Sequence, residues 1–334
     1  MQTRRTCVGL LTLVWLLLVG PGGWAVGDAP AREKIAYRLK WLINASTAGD
    51  IFAQAQGYFA DQGFEVAVKA GGPERDAIRE LELGYAQFGV ASADQVIRAL
   101  SKGASVVVVA QLFQVNPLQW IYRADDFHLA HVRDLAGRTV GVTYGGNDET
   151  IMRALLAGAG MDETQVRLAS VRYDYTPVFQ KRIPVWPVYR NTQGIFLADK
   201  LTSGGERAAF FDPSAHGVRF VANSVVTSQT MFGREPETVR RFTGALLAGW
   251  RAAMAEANED AVIEAVSAYD RDTSPAVMRR QLRATRKMVR PGPEIPVGRI
   301  DIDAWRQTEA IMLRQQLIPG PVNVEDRLRP VRPD

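Results

Sequence analysis

The alternation of apolar strands with helices between Trp41 and Gly89 limits the folds open to this chain more than any other feature. An apolar strand at 64–68 leads into Gly71-Gly72, and a helix that ends at Gly84 is followed by another strand. Strands that alternate with helices predict parallel pairing and the α/β class. In open α/β sheets, loops at the carboxyl ends of strands hold small ligands. The segment therefore predicts a cleft for a small, planar molecule.

The same alternation continues through the first two thirds of the chain, and the pattern becomes helical after Thr227. Strands are predicted at 35–42, 64–68, 88–90, 105–113, 140–142, 166–171 and 218–221, with a strand or a turn at 185–189. Helices are predicted at 48–60, 73–83, 93–102, 147–158, 175–182, 236–257, 259–268, 275–288 and 303–316. The unbroken apolar run at 106–109 is typical of a strand that is covered on both faces.

Two α/β units followed by a helical third predict a chain that crosses twice between two lobes. We predict that one lobe combines residues 34–119 with 224–318, that the other spans 120–223, and that a ligand cleft lies between them. Residues 319–334 are rich in proline and arginine, which favours a flexible tail.

The first 27 residues have the pattern of a secretory signal peptide. Arg4 and Arg5 supply the positive charge, an apolar run covers 8–19, and Ala25-Val26-Gly27 offers small residues for cleavage before Asp28. The apolar run is shorter than the ~20 residues of a comfortable membrane span, although an uncleaved N-terminal anchor stays open as an alternative. We therefore predict export of the chain with cleavage after Gly27.

Residue counts argue against several classes of function. The 40 basic and 36 acidic residues are interspersed, which is typical of a solvated surface and predicts no nucleic-acid partner. The single cysteine, Cys7, lies in the predicted signal peptide, so the mature chain has no disulfide and no thiolate nucleophile. The three histidines lack a metal-binding frame, and neither GxSxG nor a P-loop occurs. We predict no enzyme activity, no catalytic residue, no metal and no cofactor.

Aromatic rings and amides gather at the predicted strand ends. Trp41 and Tyr189 offer planar faces for stacking, and amides such as Asn44 offer both a donor and an acceptor. The turn at 145–147 follows a strand and opens a helix, so its backbone N–H groups are candidates to hold an anionic or polar tail. The structural alternatives are that the rings pack in the core, that the amides only end strands, and that the turn only caps the helix. The predicted ligand-binding residues are Trp41, Asn44, Thr47, Ser92, Gln114, Asn116, Gly145, Gly146, Asn147, Trp186, Tyr189, Asn191 and Gln193.

The order of short phrases along the chain resembles that of periplasmic substrate-binding proteins of ABC transporters, in the thiamine-pyrimidine and alkanesulfonate (SsuA-like) group. The phrases are Trp41, Asn44, Gly57-Tyr58-Phe59, Gly71-Gly72-Pro73, Gly89-Val90, Asn116-Pro117, Leu135-Ala136-Gly137, Trp186-Pro187-Val188-Tyr189, Glu235-Pro236-Glu237 and Gly249-Trp250. The resemblance implies a type II periplasmic binding-protein fold, whose two lobes close on a small-molecule ligand. It also implies a periplasmic location, a monomer, and an ABC permease of the inner membrane as partner, with a sensor role as the alternative.

Two departures from that group bear on function. An enzymatic branch, the eukaryotic-type pyrimidine synthases, uses a histidine where this chain has Thr47, and its cysteine-rich iron motif cannot be built from Cys7 alone. In pyrimidine-binding members a glutamate follows four residues after the tyrosine that resembles Tyr189, and this chain has Gln193 there. The first departure argues against the enzymatic branch. The resemblance as a whole predicts a binder of a small aromatic nitrogen heterocycle, such as a thiamine pyrimidine precursor. Sulfonate, nitrate and riboflavin remain alternative ligands.

Overall fold

The computed structural model describes residues 32–72, 75–172 and 174–331 of the chain. The predicted signal peptide at 1–27 lies outside these residues and stays a prediction. Within the described ranges, no helix combines the length and the apolar character that a membrane crossing requires.

A five-stranded sheet combines four early strands with one that returns late in the chain. Its members are β1 (Glu33–Arg38), β2 (Phe64–Lys69), β3 (Phe88–Ala91), β4 (Val106–Gln111) and β10 (Ser224–Ser228), in the order β2-β1-β3-β10-β4. As predicted, β1 pairs in parallel with β2 and β3, whereas β10 is antiparallel to both of its neighbours. All residues of β4 are buried, which confirms the prediction of a strand covered on both faces.

Two smaller sheets form from the middle of the chain. In the first, β5 (Leu118–Arg123) lies between β8 (Trp186–Tyr189) and β9 (Ala208–Phe211), and both pairings are antiparallel. The second pairs β6 (Thr139–Val142) in parallel with β7 (Arg167–Ser170). The prediction of parallel sheets is therefore wrong for β8-β5-β9, because residue periodicity identifies a strand without specifying its direction.

The chain passes twice between the five-stranded sheet and the β8-β5-β9 sheet, after β4 and again before β10. The mixed α/β class and the two crossings agree with the sequence analysis, while the boundaries of the two lobes stay a prediction. The strand predicted at 218–221 is wrong, since this stretch is irregular. The Val218 N–H donates to the Pro213 carbonyl at 3.1 Å. The Arg219 N–H donates to Gln307 Oε1 at 2.8 Å and the Val221 N–H to Thr308 Oγ1 at 3.3 Å, so none of these three pairs with a neighbouring strand.

The predicted helices are present, but several of them begin or end at other residues than predicted. They are α1 (Ala48–Ala55), α2 (Ala77–Glu82), α3 (Ala93–Leu100), α4 (Asn147–Gly158), α5 (Thr176–Phe179), α6 (Gln193–Ser203), α7 (Gln229–Arg234), α8 (Pro236–Met254), α9 (Glu259–Ser267), α10 (Pro275–Val289) and α11 (Ile302–Arg314). α1 ends earlier than predicted because Gly57, at φ 78°, takes a left-handed conformation. α2 begins later because Asp76 Oδ1 accepts the Arg79 N–H at 2.9 Å and caps the helix there. The pattern predicts neither α6 nor α7.

The segment after Pro319 differs from the predicted flexible tail as far as residue 331. Val324 and Leu328 are buried, and Leu328 forms a parallel bridge with Val108 of β4. The backbone N–H groups of Arg329 and Val331 donate to the carbonyls of Val108 and Val109, at 2.8 and 3.1 Å. This segment therefore covers the open edge of β4, because an unpaired strand edge otherwise exposes a row of hydrogen-bonding groups.

α1 and α8 approach each other closely through two glycines. A Cβ atom on Gly49 would lie 2.0 Å from the Trp250 ring, and one on Gly249 would lie 2.4 Å from Ala53 Cβ. The same approach brings Phe242 of α8 onto Phe88 of β3, with ring centroids 3.8 Å apart. α8 therefore joins α1 to the five-stranded sheet in one core.

Gly249→Ala tests this close approach. We expect the variant to lose roughly 1–3 kcal/mol of unfolding free energy, because the added methyl group must displace the backbone of α1. Gly244→Ala is the matched control in the same helix, where an added Cβ meets nothing within 4 Å. The control should gain up to about 1 kcal/mol from helix propensity. Urea denaturation of both variants measures the difference, and equal stabilities would contradict the close packing.

Candidate ligand-binding site

A cavity of about 560 Å³ opens among the loops that follow the strands of the two larger sheets. Its walls come from the loop after β1 with the start of α1, from the crossing segments, from the loop after β8 with the start of α6, and from the loop before α10 with α10 itself. The volume lies within the range of small-molecule sites in proteins. The position agrees with the prediction of a cleft at strand ends.

The cavity brings together eight of the predicted site residues from widely separated parts of the chain. They are Trp41, Asn44, Thr47, Asn116, Asn147, Tyr189, Asn191 and Gln193. Their shared location supports the interpretation of these segments as one site. Whether each residue contacts a ligand remains a prediction.

Trp186 and Ser92 lie elsewhere. Trp186 is buried in a cluster with Val178 and Leu197 and does not line the cavity, and its ring stands edge-on to that of Tyr175, with centroids 6.1 Å apart. Ser92 forms the N-terminal cap of α3, where its N–H donates to Gln95 Oε1 at 3.1 Å. Trp186 is thus a core ring, and Ser92 caps a helix at the end of β3.

The glycine turn before α4 is not an open anion site. The Gly145 N–H donates to Glu149 Oε2 and the Thr143 N–H to Asp148 Oδ2, both at 2.7 Å. The chain's own carboxylates thus occupy the position that an anion would take, and they add negative charge to it. Gly145 and Gly146 do not line the cavity, although Asn147 does.

Gln114 also lies outside the cavity. Its Nε2 donates to the carbonyls of Gln111 and Arg299, at 2.9 and 2.8 Å. The residue faces a separate, smaller space of about 120 Å³. Its amide therefore holds the first crossing segment against the chain that precedes α11.

Asn44 and Gln193 have fixed amide orientations. Asn44 Oδ1 accepts the backbone N–H of Ser46 at 2.8 Å, and Gln193 Oε1 accepts that of Tyr189 at 3.2 Å. A backbone N–H can donate only to the oxygen of an amide, so the oxygens are engaged and the NH₂ groups are the free ends. Both residues therefore offer hydrogen-bond donors to the cavity.

Asn116 and Asn191 use their amides to hold the walls together. Asn116 Nδ2 donates to the carbonyl of Phe220 at 2.7 Å, and its Oδ1 accepts the Leu118 N–H at 2.9 Å, which ties the two crossing segments to each other. Asn191, 1% exposed, donates through Nδ2 to Thr285 Oγ1 of α10 at 3.0 Å. These contacts make both residues supports of the cavity wall.

Aromatic rings line the cavity on several sides. Besides Trp41 and Tyr189, the lining includes Phe113, Tyr175 and Phe196, and the rings of Tyr175 and Phe196 lie 6.0 Å apart. Neither Phe113 nor Phe196 is among the predicted site residues. Phe113 follows a buried strand and Phe196 lies within α6, so a one-dimensional pattern could not separate them from core residues.

Asp50 is the principal lining residue that the sequence analysis missed. Its Oδ1 accepts the Tyr37 hydroxyl at 2.7 Å and Trp250 Nε1 at 3.1 Å, and the residue is 2% exposed. Burial raises the pKa of Asp50 to about 7, against the lowering effect of these hydrogen bonds. An aspartate in the first turn of a helix ordinarily indicates a solvated helix start, so no local signal pointed to this residue.

The charged residues around the cavity are mostly acidic. Asp50, Asp270 and Asp272 line it, and Lys40 is the sole basic side chain among the described lining residues. The charge balance therefore disfavours a strongly anionic ligand and suits a neutral or cationic one.

Asp50→Asn tests the buried carboxyl group through stability. Because the pKa of Asp50 is raised on folding, the native state holds this proton more tightly, so the contribution of Asp50 is full below about pH 4 and declines as pH rises toward 7. Asparagine does not titrate. The unfolding free energy of the variant minus that of the wild type should therefore rise by a few kcal/mol between pH 4.5 and 8, since one pKa unit corresponds to roughly 1.4 kcal/mol.

Urea denaturation of ligand-free protein at both pH values measures this difference. Parallel profiles for the two proteins would show that Asp50 titrates as an ordinary aspartate.

Comparison with known proteins places the fold and the family. The Escherichia coli periplasmic aliphatic sulphonate-binding protein SsuA superposes with a TM-score of 0.70 at 16% identity, covering 92% of this chain and 94% of SsuA. The chain thus has the periplasmic binding-protein fold, as the sequence predicted. The desulfurization enzyme DszB shares the fold, with a TM-score of 0.60 at 15% identity over 90% and 97% of the two chains. The fold is therefore compatible with catalysis as well as with binding.

The chain belongs to the NMT1/THI5-like family, whose model matches residues 44–260. It is 25% identical to the riboflavin-binding protein RibY of Chloroflexus aurantiacus, over 89% of this chain and 85% of RibY. It is also 25% identical to the formylaminopyrimidine-binding protein of Halalkalibacterium halodurans, over 95% and 96% of the two chains. Both of these relatives are named as binding proteins.

Proposed function

We propose that this protein is the solute-binding component of an ABC importer and that it binds a small aromatic nitrogen heterocycle. The observation that carries the proposal is the cavity in which the rings of Trp41, Tyr175 and Tyr189 stand beside the amide donors of Asn44 and Gln193. Rings stack on a flat guest, and amides bond to its edge. The names of the two relatives, a riboflavin binder and a formylaminopyrimidine binder, are consistent with such a ligand.

Lobe closure would convert binding into transport. The cavity takes residues from loops of both larger sheets, so a ligand that contacts both favours the closed arrangement over the open one. The closed form would then present its surface to a permease in the inner membrane. The predicted signal peptide, which would deliver the chain to the periplasm, supports this placement.

Binding without a chemical step is the expected outcome. Thr47, at the position where the enzymatic branch has its histidine, is 5% exposed, and its hydroxyl donates to the Asn44 carbonyl at 2.9 Å. This hydroxyl thus donates to a carbonyl and not to a base, and a threonine hydroxyl cannot itself serve as a general base near neutral pH. Candidate heterocycles incubated with the protein should therefore be recovered with unchanged mass, and release of a modified product would reverse this part of the proposal.

Mass spectrometry of small molecules that co-purify with the mature protein tests the ligand class directly. Aminopyrimidines, flavins, sulfonates and nitrate then form a thermal-shift panel, because a ligand that binds only the native state raises the melting temperature. We expect shifts with at least one heterocycle. Shifts confined to sulfonate or nitrate would replace the heterocycle with an anion.

Trp41→Ala tests stacking in the cavity. Loss of an aromatic platform beneath a heterocycle removes roughly 1–3 kcal/mol of binding, or about 5- to 150-fold in Kd. Ligand-induced quenching of tryptophan fluorescence should disappear as well, while the melting temperature of the free protein stays close to that of the wild type. Phe179→Ala removes an exposed ring outside the cavity and serves as the control. An unchanged Kd in Trp41→Ala would exclude Trp41 from the site.

A further inference from the structure

The polar atoms of the cavity divide into donors and acceptors that come from different elements. The NH₂ groups of Asn44 and Gln193 are donors, because their oxygens are engaged by backbone N–H groups. The acceptors come from two helices: Asp50 lies in the first turn of α1, and Gln281 lies on α10. A ligand that satisfies all of these groups needs both acceptor and donor atoms.

Asp50 is held so that one oxygen remains for the cavity. Both side-chain donors that reach it, Tyr37 and Trp250, use Oδ1, and among the described residues no other side chain donates to Oδ2. Tyr37 keeps its proton, since burial raises its pKa well above the usual range. The carboxyl group therefore has a fixed orientation, with its second oxygen available to an N–H donor.

Gln281 carries an unused acceptor. The residue is 8% exposed and lines the cavity, and its Oε1 has no hydrogen-bond partner in the described part of the chain. This oxygen is shut off from solvent in the free protein, where a buried acceptor without a partner is destabilising. A half-turn of the side-chain amide exchanges its oxygen and nitrogen and brings the acceptor to the cavity, where a ligand donor can satisfy it. The position of the residue is set from one helical turn away, where Thr285 donates to the Gln281 carbonyl at 2.8 Å and accepts from Asn191 at 3.0 Å.

We propose that Asp50 and Gln281 are the specificity-determining residues of this cavity and that they recognise N–H donor groups on the ligand. This inference rests on the proposed function. The guest is then a neutral or cationic heterocycle with an amino group beside a ring nitrogen. The amino group meets the acceptors of α1 and α10, and the ring nitrogen meets an amide donor. The sulfonate and nitrate groups offer hydrogen-bond acceptors alone. They would leave Asp50 and Gln281 without donors, and they would lie in a cavity that Asp270 and Asp272 also make acidic.

Two pyrimidines that differ in one group test the proposal. 4-Amino-2-methylpyrimidine carries the N–H donors, and 4-methoxy-2-methylpyrimidine lacks them while keeping the ring nitrogens. Calorimetry with the mature wild-type protein at pH 8.5, above the pKa of about 7 of Asp50, should give tighter binding of the amino compound by about tenfold or more, since hydrogen bonds to charged groups are the stronger ones.

Asp50→Asn should remove this preference. In the variant, Tyr37 and Trp250 still donate to the amide oxygen, so an NH₂ group replaces the second carboxyl oxygen and faces the ligand's own donor. We expect about a 10- to 100-fold weaker Kd for the amino compound and less than a threefold change for the methoxy compound. Gln281→Met removes the second acceptor at similar size and should shift the ratio in the same direction.

Asp270→Asn is the matched control, because it removes the same charge from the same cavity. In this variant the ratio of the Kd values for the two pyrimidines should stay within about threefold of the wild-type ratio, because we do not expect Asp270 to bond to the amino group. Circular dichroism of every variant verifies the fold, and Gln281→Met keeps the test decisive if Asp50→Asn does not fold.

Three results would overturn the proposal. If both variants weaken the two pyrimidines equally, Asp50 and Gln281 have only a structural role. If neither variant changes the ratio, the acceptors do not contact the ligand. If the wild-type protein binds neither pyrimidine nor riboflavin, the proposed function itself fails, and this inference fails with it.

Discussion

The hydrogen bonds that the buried carboxyl group of Asp50 accepts from Tyr37 and Trp250 connect three elements beneath the cavity. Tyr37 belongs to β1, Asp50 to α1 and Trp250 to α8, so one carboxyl group relates the sheet, the first helix and the returning C-terminal helix. A buried carboxyl group is stable only when such donors replace water. The arrangement therefore needs the close approach of α1 and α8, which Gly49 and Gly249 permit.

The remaining cavity walls depend on amides that link distant segments. Asn116 ties the first crossing segment to Phe220 in the second, and Asn191 ties the loop after β8 to Thr285 on α10. An ion pair between Arg280 of α10 and Asp199 of α6, at 2.6 Å, lies near the second link. These contacts position the C-terminal helix against the middle of the chain and thereby place Gln281 at the cavity. Removal of one partner would leave a polar group unsatisfied, so these residues support the site in addition to any contact that they make with a ligand.

Several polar residues proved to serve the fold, and the same physical rule explains them. Ser92 caps α3, Gln114 bonds two carbonyls, and the Gly145 N–H is taken by Glu149. Buried and turn backbone groups must find partners, and the nearest polar side chain usually provides one. A polar residue of a type that often binds ligands can therefore already be hydrogen-bonded within the fold. Only the tertiary structure shows whether it is bonded there or free to contact a ligand.

The sequence by itself determined the α/β class, helix α4 from residue 147 to 158, the buried strand β4, and the position of rings and amides at strand ends. These features depend on neighbouring residues, so they can be predicted from a local pattern. Tertiary structure alone decided the antiparallel pairing of the β8-β5-β9 sheet, the docking of the C-terminal segment on β4, and the free atoms of each amide. It also decided that Asp50 and Gln281, far apart in the chain, face one cavity. Long-range packing brings such residues together, and no pattern within a few residues of either one records it.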